Sequence, residues 1–158
     1  MRKLAANYVV SVNGDFLKNG IVVADEDGTV AEYIDTKGDL TEIAQLIFYN
    51  GILIAGFTFV RINAEIQVSE TDHAIQSFIV QSITGQKQLS IQNLIELAKQ
   101  VQDQFSELKI PEIIHEIIEV LLLVGGFSKE KIPGIFLLTG NDLVGLHFTP
   151  KSRLKKIL

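Results

Sequence analysis

His115-Glu116-Ile117-Ile118-Glu119 sets an imidazole and a carboxylate four residues apart. On a helix that spacing puts both on one face, where they could share a metal ion, as in the H-E-x-x-H pattern of helical zinc sites. The second histidine of that pattern is Glu119 here, and the same spacing serves as the solvated stripe of an otherwise apolar helix. The stripe is the reading adopted, so no metal ligand is assigned. A second cluster, Arg61, Asn63 and Glu65, alternates with Val60, Ile62, Ala64 and Ile66, so a strand would line the polar three along one wet face. Arginine has no lone pair to give a metal, and asparagine is a poor zinc ligand. His73 and His147 have no partner at ligand spacing. With no cysteine in the chain, thiolate zinc sites and disulfides are both excluded. There is no G-x-S-x-G elbow for a nucleophilic serine. Gly125-Gly126-Phe127 and Gly134 lack the lysine and spacing of a phosphate loop. Asp25-Glu26-Asp27-Gly28 lacks the spaced ligands of a calcium loop and reads as a hairpin turn. No catalytic residue, metal or cofactor is expected.

The chain has 158 residues, enough for one domain with a sizeable core. Hydrophobic residues make up 47% and mean hydropathy is +0.27, a surplus that must enter a dense core or a partner interface. The net charge of −5 and pI near 5.2 disfavour nucleic acid, which requires clustered cations. Lys151, Arg153, Lys155 and Lys156 are the one basic cluster, and their alternation with apolar residues reads as the solvated face of a strand. No apolar run reaches the length of a membrane span, and Asn7, Tyr8 and Ser11 interrupt the N-terminal run too early for a signal peptide. A cytoplasmic protein without membrane or nucleic-acid partners is the expectation.

The elements that must position these residues begin with strands. Residues 3–12 and 21–24 read as strands, and Asp27-Gly28 turns the chain into a third from Thr29 to Asp35. Ile43 to Tyr49 reads as a fourth strand, ended by a turn at Asn50-Gly51 before the apolar run Ile52-Leu53-Ile54-Ala55. Strict alternation from Phe59 to Val68 predicts a half-buried strand, Ser69 to Asp72 a turn, and Ala74 to Thr84 the returning strand of a long hairpin. Ser90 is placed to cap a helix over about 90–107, whose buried stripe would be Ile91, Leu94, Ile95, Ala98, Val101 and Phe105. Pro111 suits the first turn of a second helix, nearly all apolar through Val124 and ended by Gly125-Gly126. Ile135 to Gly140 and Ser152 to Leu158 read as tail strands, with Leu146-His147-Phe148 a short one.

The run Asn50-Gly51-Ile52-Leu53-Ile54-Ala55-Gly56-Phe57 resembles the start of amidohydrolase-type metal-dependent hydrolases. There the segment reads roughly N-G-x-L-hydrophobic-P-G-F before a His-x-His metal pair on the first barrel strand. LKNGIVVADEDGTVAEYIDTKGDL at residues 17–40 resembles that family's N-terminal β-domain, commonly x-x-G-x-I-x-V-x-D-G-x-I. Residues 89–126 resemble the two helices after its last catalytic strand; KEKIPGIFLLTGNDL and HFTPKSRLKKIL resemble its C-terminal return. The resemblance covers most of the chain and omits the barrel, which typically belongs to a fold of about 250 residues. It departs from the family at Ala55, which stands for proline, and at the metal positions. The His-x-His pair falls on Arg61 and Asn63, and the last-strand aspartate on Gln81.

The resemblance implies one α+β domain over residues 1–158. Strands of 1–57 and 132–158 would make a small antiparallel, sandwich-like composite β-domain. A hairpin over 58–88 would replace the barrel, and 89–127 would form a helical pair. Arg61, Asn63 and Gln81 would be vestigial positions in a non-catalytic relative that serves as an oligomerising or interaction module. The alternative is a small-molecule-binding or residual C–N hydrolase protein with a reshaped site near residues 58–84, its ligand unassigned. Because only the hairpin is available to cover the apolar second helix, a homodimer through that helix, the hairpin or both is expected.

Overall fold

The computed structural model describes residues 1–41, 43–56, 59–61, 74–123 and 134–158. In chain order its elements are β1 (Arg2–Val10), β2 (Phe16–Lys18), β3 (Ile21–Ala24), β4 (Val30–Ile34), β5 (Leu46–Ala55) and β6 (Phe59–Arg61). There follow α1 (Ala74–Ile83), β7 (Gln88–Ser90), α2 (Ile91–Gln104), α3 (Ile110–Leu123), β8 (Ile135–Thr139) and β9 (Arg153–Lys156). The content is α+β. Two compact units divide it: Met1–Thr58 with Lys131–Val144 and Thr149–Leu158, and Phe59–Glu130 with Gly145–Phe148.

The first unit is one seven-stranded sheet in the order β4-β3-β1-β5-β8-β9, with β2 also paired to β1. Head and tail strands therefore share a sheet: Ile52 to Ala55 of β5 pair with Leu138 to Ile135 of β8, and Phe136 to Thr139 pair with Lys156 to Arg153 of β9. The sheet is mixed, because β1 and β5 run parallel, whereas an antiparallel sandwich was expected. Leu4, Ala6, Val9, Val22, Ala24, Leu53 and Ala55 from the head form one core cluster with Ile135 and Leu137 from the tail. Burying each larger member is worth about 1.5–3 kcal/mol, so neither end of the chain can complete this core alone.

Asn50-Gly51 does not turn the chain, as the sequence led us to expect; both lie inside β5. The β1–β5 register slips by one residue between the Ala6↔Tyr49 and Tyr8↔Ile52 pairs, a bulge on the β5 side. The Asn7 side-chain oxygen accepts the Gly51 N–H at 2.7 Å and so satisfies a donor that the slip takes off the ladder. Gly51, with φ of 146° and no room for a Cβ beside the Leu138 carbonyl oxygen, makes this path sterically possible. The expected Asp-Gly hairpin does form: Gly28 (φ 87°) donates to the Asp25 carbonyl, and Asp25 N–H to the Thr29 carbonyl. The Asp27 carboxylate accepts the Thr29 N–H at 2.9 Å, which holds its pKa below the ordinary value.

Tyr33 on β4 donates its hydroxyl to the Ala55 carbonyl at 2.7 Å, tying β4 to the end of β5. Burial pushes its pKa from 10.0 up to about 12, with a backbone hydrogen bond from Val12 offsetting part of the rise. The fold thus favours the neutral phenol. That contribution is complete below pH 10 and lost as pH rises from 10 to about 12. The stability advantage of the natural chain over Tyr33→Phe should shrink by up to about 2 kcal/mol across that window, at 1.36 kcal/mol per unit discounted for remaining exposure. Denaturant melts of both proteins at pH 9 and pH 12 check this; an advantage that does not change with pH would place the hydroxyl in water.

The described part of the second unit holds the three helices and the two-stranded β6–β7 pair. α2 begins where expected, with the Ser90 hydroxyl accepting the Asn93 N–H at 3.2 Å, and Ile91, Leu94, Ile95, Ala98 and Val101 are buried, as is Leu97. Half a capping box starts α3, since the Glu112 carboxylate accepts the Lys109 N–H at 3.2 Å. Residues 74–83 are the correction: the returning strand of the hairpin is the helix α1. Its Ile79 and Ile83 are buried one turn apart, and the Phe78 ring meets Phe105 edge-on at 6.0 Å. The first hairpin strand is described only as β6, whose Phe59 to Arg61 pair with Ser90 to Gln88 of β7; its continuation over 62–68, with Asn63 and Glu65, lies outside the described residues. The turn at 69–72, His73 and the helix stop at Gly125-Gly126 also lie outside them. α3 packs on both α1 and α2, and Ile113, Ile117, Ile118, Val120 and Leu121 are buried. The apolar helix thus has cover within its own chain, which removes the reason given above for a dimer through it. Leu146-His147-Phe148 forms no strand; Phe148 instead exchanges two hydrogen bonds with the Gln102 side-chain amide, at 2.7 and 2.8 Å.

Candidate functional site

Of the three positions where the resemblance places vestigial ligands, two are described. Arg61 ends β6, where its backbone pairs with Gln88. Gln81 is exposed on α1, an element that the sequence suggested would be a strand. A helix turns successive side chains by about 100°, so Gln81 does not hold the position a barrel strand would give it. Asn63 lies outside the described residues.

The i,i+4 pair on α3 forms as an ion-pair geometry rather than a cage. His115 Nε2 lies 3.3 Å from Glu119 Oε1, with the two side chains 63% and 50% exposed. Glu116, between them in sequence, accepts from Gln76 of α1 at 3.4 Å. Among the described residues no three His, Asp or Glu side chains are grouped to hold a metal ion. An exposed pair of this kind contributes a few tenths of a kcal/mol to helix stability.

Within the second unit a groove of about 280 Å³ opens between the end of α1, β7 and α2. Ile83, Leu89 and Leu97 form its floor, and Gln86, Asn93, Glu96 and Gln100 its polar rim. Ligand pockets typically run from about 300 Å³ upward and enclose most of the ligand, so this groove sits at the lower bound. Glu96 is already 3.7 Å from Lys99 Nζ. The rim offers amide and carboxylate hydrogen bonds to a small polar molecule, and the Ser82 hydroxyl in the lining donates to the Phe78 carbonyl at 2.8 Å.

The third feature was not anticipated from the sequence. β5 is paired with β8 only from Ile52 onward, and among the described residues no strand pairs with the opposite side of Leu46–Asn50 from β1. Ile47 and Phe48 in that stretch are 44% and 46% exposed. Adjacent strand residues point to opposite faces, so both faces of the sheet show an apolar side chain at one open edge. Among the described residues the other exposed large apolar side chains are Met1 and Val144.

Known protein families, curated proteins and solved structures contain no match to this chain.

Proposed function

We propose that the chain is a non-catalytic, barrel-deleted relative of the amidohydrolases that serves in the cytoplasm as an oligomerising or interaction module. The observation that carries this reading is the exposed apolar pair Ile47 and Phe48 on an open strand edge. Surface of that kind is costly to leave in water, and such edges are the template for adding a strand from another chain. The residue types at the resembled metal positions point the same way. A guanidinium at Arg61 and amides at Asn63 and Gln81 cannot replace two imidazoles and a carboxylate as ligands and proton shuttle. The groove in the second unit gives lesser support to a small-ligand module, because its rim is made of amides and one carboxylate already near a lysine. Elemental analysis separates the module from a surviving hydrolase: bound zinc, iron or manganese at one equivalent per chain would overturn the reading.

A further inference from the structure

We infer that the partner of the open β5 edge is a second copy of this chain, joined to it by antiparallel pairing of Leu46–Asn50 about a two-fold axis through Phe48. This deepens the interaction-module reading and rests on it. The length of the open stretch is set at both ends. Gln45 (φ 63°) turns the chain before Leu46, whose N–H returns to the Ile43 carbonyl, and β8 takes up the edge from Ile52. Leu46 to Gly51 remain; Gly51 lies in the bulge with its N–H on Asn7, which leaves five residues centred on Phe48, and an antiparallel two-fold pair of such strands sets Phe48 against Phe48 and Ile47 against Tyr49. Aromatic and aromatic–aliphatic pairs of this kind are favourable cross-strand neighbours.

Charge selects this edge over the outer strands β4 and β9. No charged residue occurs from Ile43 to Ala55, so two copies meet there without repulsion. The outer strand β9 carries exposed Arg153, Lys155 and Lys156, and the outer strand β4 carries exposed Glu32, followed by Asp35. Self-pairing at either would oppose like charges, the usual guard on a sheet edge. A five-residue strand pair buries an area at the small end of specific interfaces, so the dimer should form at about micromolar concentrations rather than below.

The test uses the natural chain, two variants at half-exposed Phe48, Phe48→Lys and Phe48→Cys, and the control Val144→Cys. Sedimentation equilibrium of the natural chain should show mass moving from 17.5 kDa toward twice that value over the micromolar range. Phe48→Lys should weaken association more than about tenfold while circular dichroism is unchanged. In this cysteine-free chain, Phe48→Cys should form a disulfide-linked dimer on mild oxidation, since paired strands hold facing Cα atoms at disulfide distance. Val144→Cys, at a position 98% exposed, should not do so at the same concentration. A dimer that survives Phe48→Lys, or cross-linking no faster at position 48 than at 144, would overturn the β5 edge while leaving the module reading in place. A natural chain that is monomeric throughout would exclude a second copy and leave the edge to an extended segment of another protein. If Phe48→Lys misfolds, the two cysteine variants decide. Failure of the module reading itself would show separately, as stoichiometric metal.

Discussion

Deleting residues 150–158 should unfold the whole first unit, not merely shorten it. β9 supplies four pairs to β8, and beyond it the Leu158 carbonyl accepts from Ile135, whose own carbonyl takes the Ile157 and Leu158 N–H groups. Ile157 and Leu158 also pack on the core cluster that the head strands build. The buried Ser152 hydroxyl donates to Asn141 at 2.6 Å and accepts the Thr149 N–H at 2.9 Å, so the deletion also releases the turn that carries β9 back to β8. Losing this ladder and exposing the apolar residues beneath it removes several kcal/mol, comparable with the 5–15 kcal/mol that usually separates folded from unfolded domains. Circular dichroism should report loss of sheet signal at 25 °C, and the thermal transition of the first unit should disappear. An unchanged spectrum and melt would mean that the tail is dispensable to the head.

Gly140→Ala should be the most damaging single methyl. Gly140 has φ of 80°, and a Cβ there would strike the Lys151 carbonyl oxygen, which is backbone and cannot move aside. Gly85 has nearly the same φ, 85°, yet nothing lies within 4 Å of where its Cβ would stand. The pair separates conformational strain from crowding. Gly85→Ala should cost roughly 1–2 kcal/mol, the left-handed penalty alone, while Gly140→Ala should exceed about 3 kcal/mol because a clash is added. Urea titrations of the two variants measure both. Equal losses would show that the β8–β9 connection yields easily.

What could be read from the sequence was local. The Ser90 cap, the 3.6-residue stripe of α2 and the Asp27-Gly28 hairpin each depend on residues within a few positions of one another, and all three formed. Residues 74–83 were misread because Ile75, Ile79, Val80 and Ile83 favour strands as isolated residues. Their spacing was the better guide: Ile75, Phe78, Ile79 and Ile83 fall on one helical face, and packing on that face prevailed over propensity. Asn50-Gly51 was misread for the opposite reason. The pair favours turns, but Asn7, 44 residues earlier, supplies the acceptor that lets it stay in a strand. The open edge at Ile47 and Phe48 had no signal at all. An uncovered strand and a buried one share the same apolar pattern, and only the register of β8 shows where cover stops. The reason for expecting a dimer at α3 was a helix covered by a hairpin alone, and α1 and α2 both lie against it instead. For the site, residue chemistry at 61, 63 and 81 was legible from the start, whereas the position of Gln81 on a helix was not.

A chain that keeps the β-domain without the metal chemistry, as proposed, should hold no metal of its own. The most direct test is elemental analysis of the natural chain, expressed in medium supplemented with zinc, iron and manganese and purified without chelators. Well under one equivalent of any of these metals per 17.5 kDa chain is expected, with no loss of thermal stability on adding a chelator. One tightly held equivalent, removed by chelator together with a fall in melting temperature, would contradict the proposal.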